Sequence, residues 1–488
     1  MCRPASSRRR RKRPSRSFPD FSLGITQAKV SVVLLALFLV LFETQITKVR
    51  AFLSPGKPHR RKKLVIGESR NDDVAFAVDN SVSFADAAIS KTKTDTLPPP
   101  PNPYNDPTFQ SMRKSLPVKL QYWIRDSGLL RWIADNAIWL EIPKLLRTHP
   151  KALGTFLQLS GSDGTIPGYL LDQLLPTTKI PSNNRPYKFS RLLYGSQYSR
   201  QTIDLIQRRE SVTGNQTNQL VVFVHGGAWG SGHPAMYRLV ATPFLEQGYD
   251  VAILGYPTYP TADVARQIEC IKQALEYMTT TTHGVESGSS LLDQYTSISV
   301  VGHSSGAHIA LSALLDAKWQ DELKAKNPTA SIAHFVGLAG VYDIPSHYLF
   351  ERARGVERLS PLAPACGGSL QSWRRFSPSR QLGGGVGAVD LVSDALSESV
   401  DFTTWPDSIL LVHGTLDSTV PYTSSEKMAK ALTSNKVVKY SHRKESNNMK
   451  LMILPSVGHS DMILHFFFGG ATSDFVLDWL RQGTFLAQ

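Results

Sequence analysis

From about Tyr194 onward the chain alternates short, unbroken apolar runs with stretches whose apolar residues recur at helical spacing. Leu220–Val224 (LVVFV), Val251–Leu254 (VAIL), Ile298–Val301 (ISVV), Phe335–Leu338 (FVGL), Ile409–Val412 (ILLV) and Leu451–Leu454 (LMIL) each read as a strand buried on both faces. Helix-length patterns over Ala262–Met278 and Ala307–Lys324 separate three of them. That alternation predicts a mostly parallel sheet with helices on both faces. No internal repeat is evident.

Ahead of the strands, apolar residues at helical spacing run from Val118 to Leu146 (Leu120, Trp123, Ile124, Leu130, Ile133, Ala137, Leu140) and close at Pro143 and Pro150. Trp123, Trp132 and Trp139 fall in this stretch. Two readings stand: a helical pair packed on the main domain, or an element at a membrane surface, where tryptophan is favoured. Residues 64–117 read as linker, because Leu97–Pro107 carries six prolines and can be neither helix nor central strand. The expected organisation is a leader over 1–63, the linker over 64–117, a helical segment over 118–185 and the catalytic domain over 186–488.

The 488 residues carry a formal charge of +14. Residues 1–63 hold 16 Lys/Arg against 2 Asp/Glu, so the whole excess lies in the leader and the body is neutral. A basic nucleic-acid-binding body is thereby excluded. Within the leader, the 13 residues Val30–Phe42 are apolar but for one serine. That length suits a signal-peptide core and falls short of the ~20 residues a membrane-crossing helix needs. Cleavage, retention as a signal anchor with membrane association, and nuclear localisation through the arginine run Arg8–Arg13 are all compatible with it. Cys2, Cys270 and Cys366 are too few and too scattered for a disulfide framework or a cysteine zinc site. A sequon lies at Asn215-Gln216-Thr217. No metal or organic cofactor signature is visible, and nothing in the pattern sets an oligomeric state.

Four loops at strand ends carry candidate chemistry. Gly302-His303-Ser304-Ser305-Gly306 joins ISVV directly to the helical pattern AHIALSALL. A G-x-S-x-G turn in that setting pushes its serine into an exposed, strained position, while the following helix offers the Ser305 N–H and its dipole to a developing oxyanion. His225-Gly226-Gly227-Ala228-Trp229-Gly230 follows LVVFV. Gly226, Gly227 and Ala228 are its candidate oxyanion donors. A base and an acid complete the set: His459 in LMILPSVGHSD and Asp417 in ILLVHGTLDSTVP each follow a strand, in the chain order Ser…Asp…His. Asp343 and Asp461 are rivals for the acid, disfavoured by sequence order and strand position. His303, His308 and His413 are expected to serve local hydrogen bonding and packing.

HGGAWG, GHSSGAHIA, HGTLDSTVP and GHSD together resemble the kynurenine formamidase and isoprenylcysteine methylesterase branch of the α/β-hydrolases. YGSQYSRQTIDL (Tyr194–Leu205) is similar to the opening strand-turn signature of that branch, and Gly340–Gly368 to the methylesterase cap region. The resemblance covers about residues 186–485. It implies an α/β-hydrolase fold with a cap or lid before the acid strand, where Ser369–Thr404 is a Gly/Ser-rich insertion. It also implies a serine-dependent carboxylic ester hydrolase with a small-molecule ester substrate, a prenylated-cysteine ester first. Arylformamidase action on N-formylkynurenine and a broad esterase are the alternatives. From a different class comes a catalytically silent, membrane-tethered binding module, but such proteins normally lack a triad member and here all three have candidates. The leader, with Phe52 after a small residue and basic residues beyond, resembles the two-part presequence of algae with complex plastids, implying delivery to the endoplasmic reticulum or a plastid.

Overall fold

The computed structural model describes residues 117–131, 135, 159, 186–209, 219–280, 295, 297–326, 332–382, 406–434 and 449–485. The leader with Val30–Phe42 and Phe52, the linker, the sequon at Asn215 and most of the Trp132–Leu146 stretch lie outside the described residues. Among the described residues, no helix is long and apolar enough to cross a membrane.

Eight strands form one sheet: β1 (Tyr187–Leu193), β2 (Thr202–Arg208), β3 (Gln219–Val224), β4 (Asp250–Leu254), β5 (Ser297–His303), β6 (Ile332–Leu338), β7 (Ser408–Gly414) and β8 (Met449–Leu454), in the order β1-β2-β4-β3-β5-β6-β7-β8. β1 and β2 pair antiparallel, as do β2 and β4; every other pair is parallel. The helices are α1 (Val118–Asp126), α2 (Ala241–Glu246), α3 (Val264–Thr280), α4 (Ser305–Leu314), α5 (Ala317–Lys326), α6 (Ile344–Arg354), α7 (Leu362–Ala365), α8 (Leu370–Arg375), α9 (Pro378–Leu382), α10 (Thr423–Ser434), α11 (Asp461–Phe468) and α12 (Ala471–Phe485).

The apolar runs are continuous because both faces of the sheet are covered. In β3, Leu220, Val222 and Val224 point into one core layer with α3 and α4, while Val221 and Phe223 point into the other with α2, α11 and α12. β3 lies between β4 and β5, so successive connections leave it in opposite directions. Val224 sits in register with Gly302, which brings the loop after β3 beside the turn after β5. A topological switch point of this kind opens a crevice at the carboxyl ends of parallel strands.

The sequence pattern accounts for β3–β8 and misses the β1–β2 hairpin. Its single helix over Ala307–Lys324 is two helices, α4 and α5. Asp316 separates them, accepting the Trp319 N–H at 3.1 Å as a helix-start residue would. In α1 it is Gln121 and Ile124 that are buried, whereas Trp123 is 46% exposed, contrary to the expected apolar face. Between β6 and β7 the chain builds α6–α9; of the Ser369–Thr404 insertion, Ser369–Leu382 forms α8 and α9, and residues 383–404 lie outside the described residues.

Candidate active site

Ser304 sits between β5 and α4 at φ 54°, ψ −124°, a backbone region that L side chains rarely occupy. The surroundings hold it there. Its N–H donates to Leu338 O at 2.8 Å. A Cβ at Gly302 would meet the Ala307 backbone at 2.6 Å, and one at Gly306 would meet Val224 O and His225 O at 2.3 Å. The glycines are thus required by the closeness of α4 to the ends of β5 and β3.

The structure brings Ser304, His459 and Asp417 together from three strand ends. Ser304 Oγ donates to His459 Nε2 at 3.0 Å, and His459 Nδ1–H donates to Asp417 Oδ2 at 2.7 Å. Asp417 Oδ1 accepts the N–H groups of Thr419 at 2.9 Å and Val420 at 2.8 Å. Asp417 is fully buried. Burial alone would push its carboxyl up, but His459 and His413 outweigh that and hold it well below the usual carboxylate range.

The rival acids are engaged elsewhere. Asp343 caps α6 through Ser346 N–H and forms a two-point ion pair with Arg380, at 2.9 and 3.1 Å. Asp461 accepts the Gly458 N–H at 2.8 Å and so shapes the turn carrying His459.

Of the expected oxyanion donors, Gly226 lies against the nucleophile: a Cβ there would come 3.0 Å from Ser304 Cβ. Gly227 has φ 135°, and Ala228 and Trp229 hold positive φ of 50° and 59° without being glycine. Three bonds secure this bend. Trp229 Nε1–H donates to His308 Nδ1 at 3.1 Å, and Trp229 O accepts from Tyr259 N–H at 2.8 Å and Gln267 Nε2 at 2.9 Å. His308 in turn donates from Nε2 to Phe376 O at 2.6 Å, tying the loop to the end of α8. Ser305, the fourth expected donor, is buried at the first position of α4.

The other histidines are buried beside these groups. His303 lies against His459 with ring centroids 4.9 Å apart and the planes tilted by 41°, and burial pushes its imidazole down to about 3. His413 lies with Nε2 3.2 Å from Asp417 Oδ2 and 2.9 Å from Val420 O, so it touches the acid directly as well as filling space. The sequence shows His413 in HGTLD, but only the turn between the two residues reveals the contact. Trp229 and His308 were legible as residues and not as partners, since 79 positions separate them.

A strained serine at a strand-to-helix turn, a histidine and a buried aspartate on following strand ends, and a glycine loop at the switch point stand where an α/β-hydrolase fold carries its chemistry. Known proteins similar to this chain share that fold. The BD-FAE family matches residues 209–379, which hold Ser304 and the glycine loop; the Prolyl oligopeptidase family matches residues 391–484, which hold Asp417 and His459. A probable isoprenylcysteine alpha-carbonyl methylesterase of Oryza sativa subsp. japonica is 26% identical over 285 residues, 57% of this chain and 60% of that protein. The Arabidopsis thaliana isoprenylcysteine alpha-carbonyl methylesterase is 27% identical over 216 residues, 44% of this chain and 46% of that protein. The Drosophila melanogaster kynurenine formamidase is 27% identical over 183 residues, 35% of this chain and 55% of that protein. The chain thus spans about half to three-fifths of the length of these relatives. Among solved structures, a Lactobacillus esterase B is 19% identical with a TM-score of 0.44, covering 62% of this chain and 86% of that one.

Proposed function

We propose that this protein hydrolyses a small carboxylic ester through an acyl-enzyme on Ser304. The observation that carries the reading is the unbroken path from Ser304 Oγ through His459 to Asp417, at 3.0 and 2.7 Å. His459 Nε2 takes the hydroxyl proton as Oγ attacks the ester carbon, and the imidazolium is supported by Asp417. The tetrahedral oxyanion is met by N–H groups of Ser305 and of the Gly226–Ala228 loop. Collapse breaks the ester C–O bond, and His459 returns the proton to the leaving alcohol. Water, deprotonated by the same imidazole, then releases the acid and restores Ser304.

An ester of a prenylated cysteine is the substrate class supported first, by the two methylesterase relatives. Formamide hydrolysis is the second reading, supported by the kynurenine formamidase match, and would use the same groups on a C–N bond. Delivery to the endoplasmic reticulum or a plastid through residues 1–63, with membrane attachment if Val30–Phe42 is retained, belongs to the same proposal. A fluorescent fusion of residues 1–110 found in the cytosol or nucleus would remove it.

The substrate test is a panel of three compounds on the purified protein: a prenylcysteine methyl ester, N-formylkynurenine and a short-chain aryl ester. The methyl ester should give the highest kcat/KM. Preference for N-formylkynurenine would move the assignment to formamidase. A protein that turns over none of them and is not labelled by a fluorophosphonate is not a serine hydrolase.

A further inference from the structure

The residue at the end of the oxyanion loop is held from outside the sheet. Gly232 lies at φ 104°, where a Cβ would meet His225 Nδ1 at 2.4 Å and Gly226 O at 2.6 Å. It therefore packs directly on the two residues that begin the loop, and Gly226 in turn packs on Ser304. Both backbone groups of Gly232 are gripped. Its N–H donates to Asp135 Oδ1 at 2.8 Å, and its carbonyl accepts from Arg200 Nη1 at 2.8 Å. Arg200 Nη2 closes the ring by donating to Asp135 Oδ2 at 2.7 Å.

Asp135 comes from the segment ahead of the sheet, and Arg200 from the turn between β1 and β2. Neither belongs to a strand end that carries chemistry. The same segment makes two more polar contacts around the loop. Arg131 Nη1 donates to Thr261 Oγ1 at 2.9 Å, and Tyr259 Oη donates to Asp126 Oδ1 at 2.7 Å. Tyr259 is the residue whose N–H holds Trp229 O. The two positions that bound the strained bend, Trp229 and Gly232, are thus both reached from the segment before the sheet.

We infer that Asp135 and Arg200 are a positioning pair for the oxyanion loop, which makes the segment ahead of the sheet part of the catalytic apparatus. The inference rests on the proposed ester hydrolysis for its kinetic consequence, though not for its structural one. Part-buried, charge-assisted hydrogen bonds to both sides of one peptide residue fix it more firmly than a single neutral bond does. Oxyanion donors act by being already in place when charge develops, so a loop released by a fraction of an ångström loses transition-state stabilisation and leaves ground-state binding nearly intact.

The test uses the full chain with Asp135→Ala, Asp135→Asn and, as a control, Lys272→Met, which breaks the Lys272–Asp316 ion pair at α3. Asp135→Ala should lower kcat on an aryl ester by about 10- to 100-fold with KM within about threefold. Fluorophosphonate labelling should slow in parallel. Asp135→Asn, which keeps an acceptor for the Gly232 N–H, should recover part of that loss. Lys272→Met should lower the melting temperature and spare kcat, as a merely structural ion pair would. Amide exchange across residues 225–233 should quicken in Asp135→Ala while β5 stays protected. Wild-type kcat in Asp135→Ala, or unchanged exchange over 225–233, overturns the inference. A wild-type protein inert to esters and to the phosphonate would defeat the functional reading instead, and the exchange measurement would still decide the positioning pair.

Discussion

Asp417 lies fully buried between two imidazoles, with His459 at 2.7 Å and His413 at 3.2 Å. Two backbone N–H groups hold its other oxygen, so the carboxylate is oriented as well as charged. Asp417→Asn keeps the shape but presents an amide that can force the wrong imidazole tautomer. Turnover should fall by roughly 10⁴, as in other triads. Asp461→Asn, which alters only the turn at Gly458, should cost less than about tenfold, and Asp343→Asn should act through the stability of α6. Steady-state kinetics on the three variants checks the order; a nearly silent Asp417→Asn beside a crippled Asp461→Asn or Asp343→Asn would reassign the acid.

The turn carrying Ser304 and the glycine loop work as one unit because β3 and β5 are neighbours. Gly306 makes that closeness possible, since its Cβ position is already filled by the carbonyls of Val224 and His225. Gly306→Ala should push α4 away from β3 and lower the melting temperature by several degrees, with activity lost before the fold is. Near-normal turnover in this variant would mean that the serine and the loop need no fixed spacing. Element by element, β3–β8 and the loops that follow four of them were legible because buried parallel strands read as plain apolar runs and the motifs sit directly at their ends. The β1–β2 hairpin was not legible from the apolar pattern and showed only in the resemblance of Tyr194–Leu205 to a strand-turn signature. β1 is only partly buried, and β2 carries the fully buried Asp204, whose charge is met by Arg191 at 2.6 Å and Arg238 at 2.9 Å. Single-residue patterning scores that aspartate as a loop signal, because its compensation comes from partners 13 and 34 positions away. The Asp135–Arg200 pair was hidden for the same reason: 65 positions separate the two residues.

Across the whole molecule, burial keeps a set of histidines neutral. His225, His308 and His334 are pushed down to about 4, and His233, His303 and His347 to about 3. An unfolded histidine binds its proton near pH 6.5, so between that value and about 4 the unfolded chain holds more protons than the folded one. Stability therefore falls as pH drops through this window. Two carboxyls oppose the trend: burial raises Glu351 to about 7 and also raises Glu426, so the folded state holds their protons above pH 4.5. Two groups against six leave the direction unchanged. The melting temperature should fall by about 10 °C or more from pH 7 to pH 4.5. A flat profile by scanning calorimetry would mean that these imidazoles are charged or exposed in the folded protein.

The central claim is that Ser304 becomes acylated. Mixing the protein with a slowly deacylating aryl ester, quenching in acid and mapping the mass increase by peptide digestion tests it directly. One acyl group per chain is expected on the peptide containing Ser304, and none on the Ser304→Ala variant under the same conditions. Acyl transfer to another residue, or undiminished turnover by Ser304→Ala, would contradict the claim.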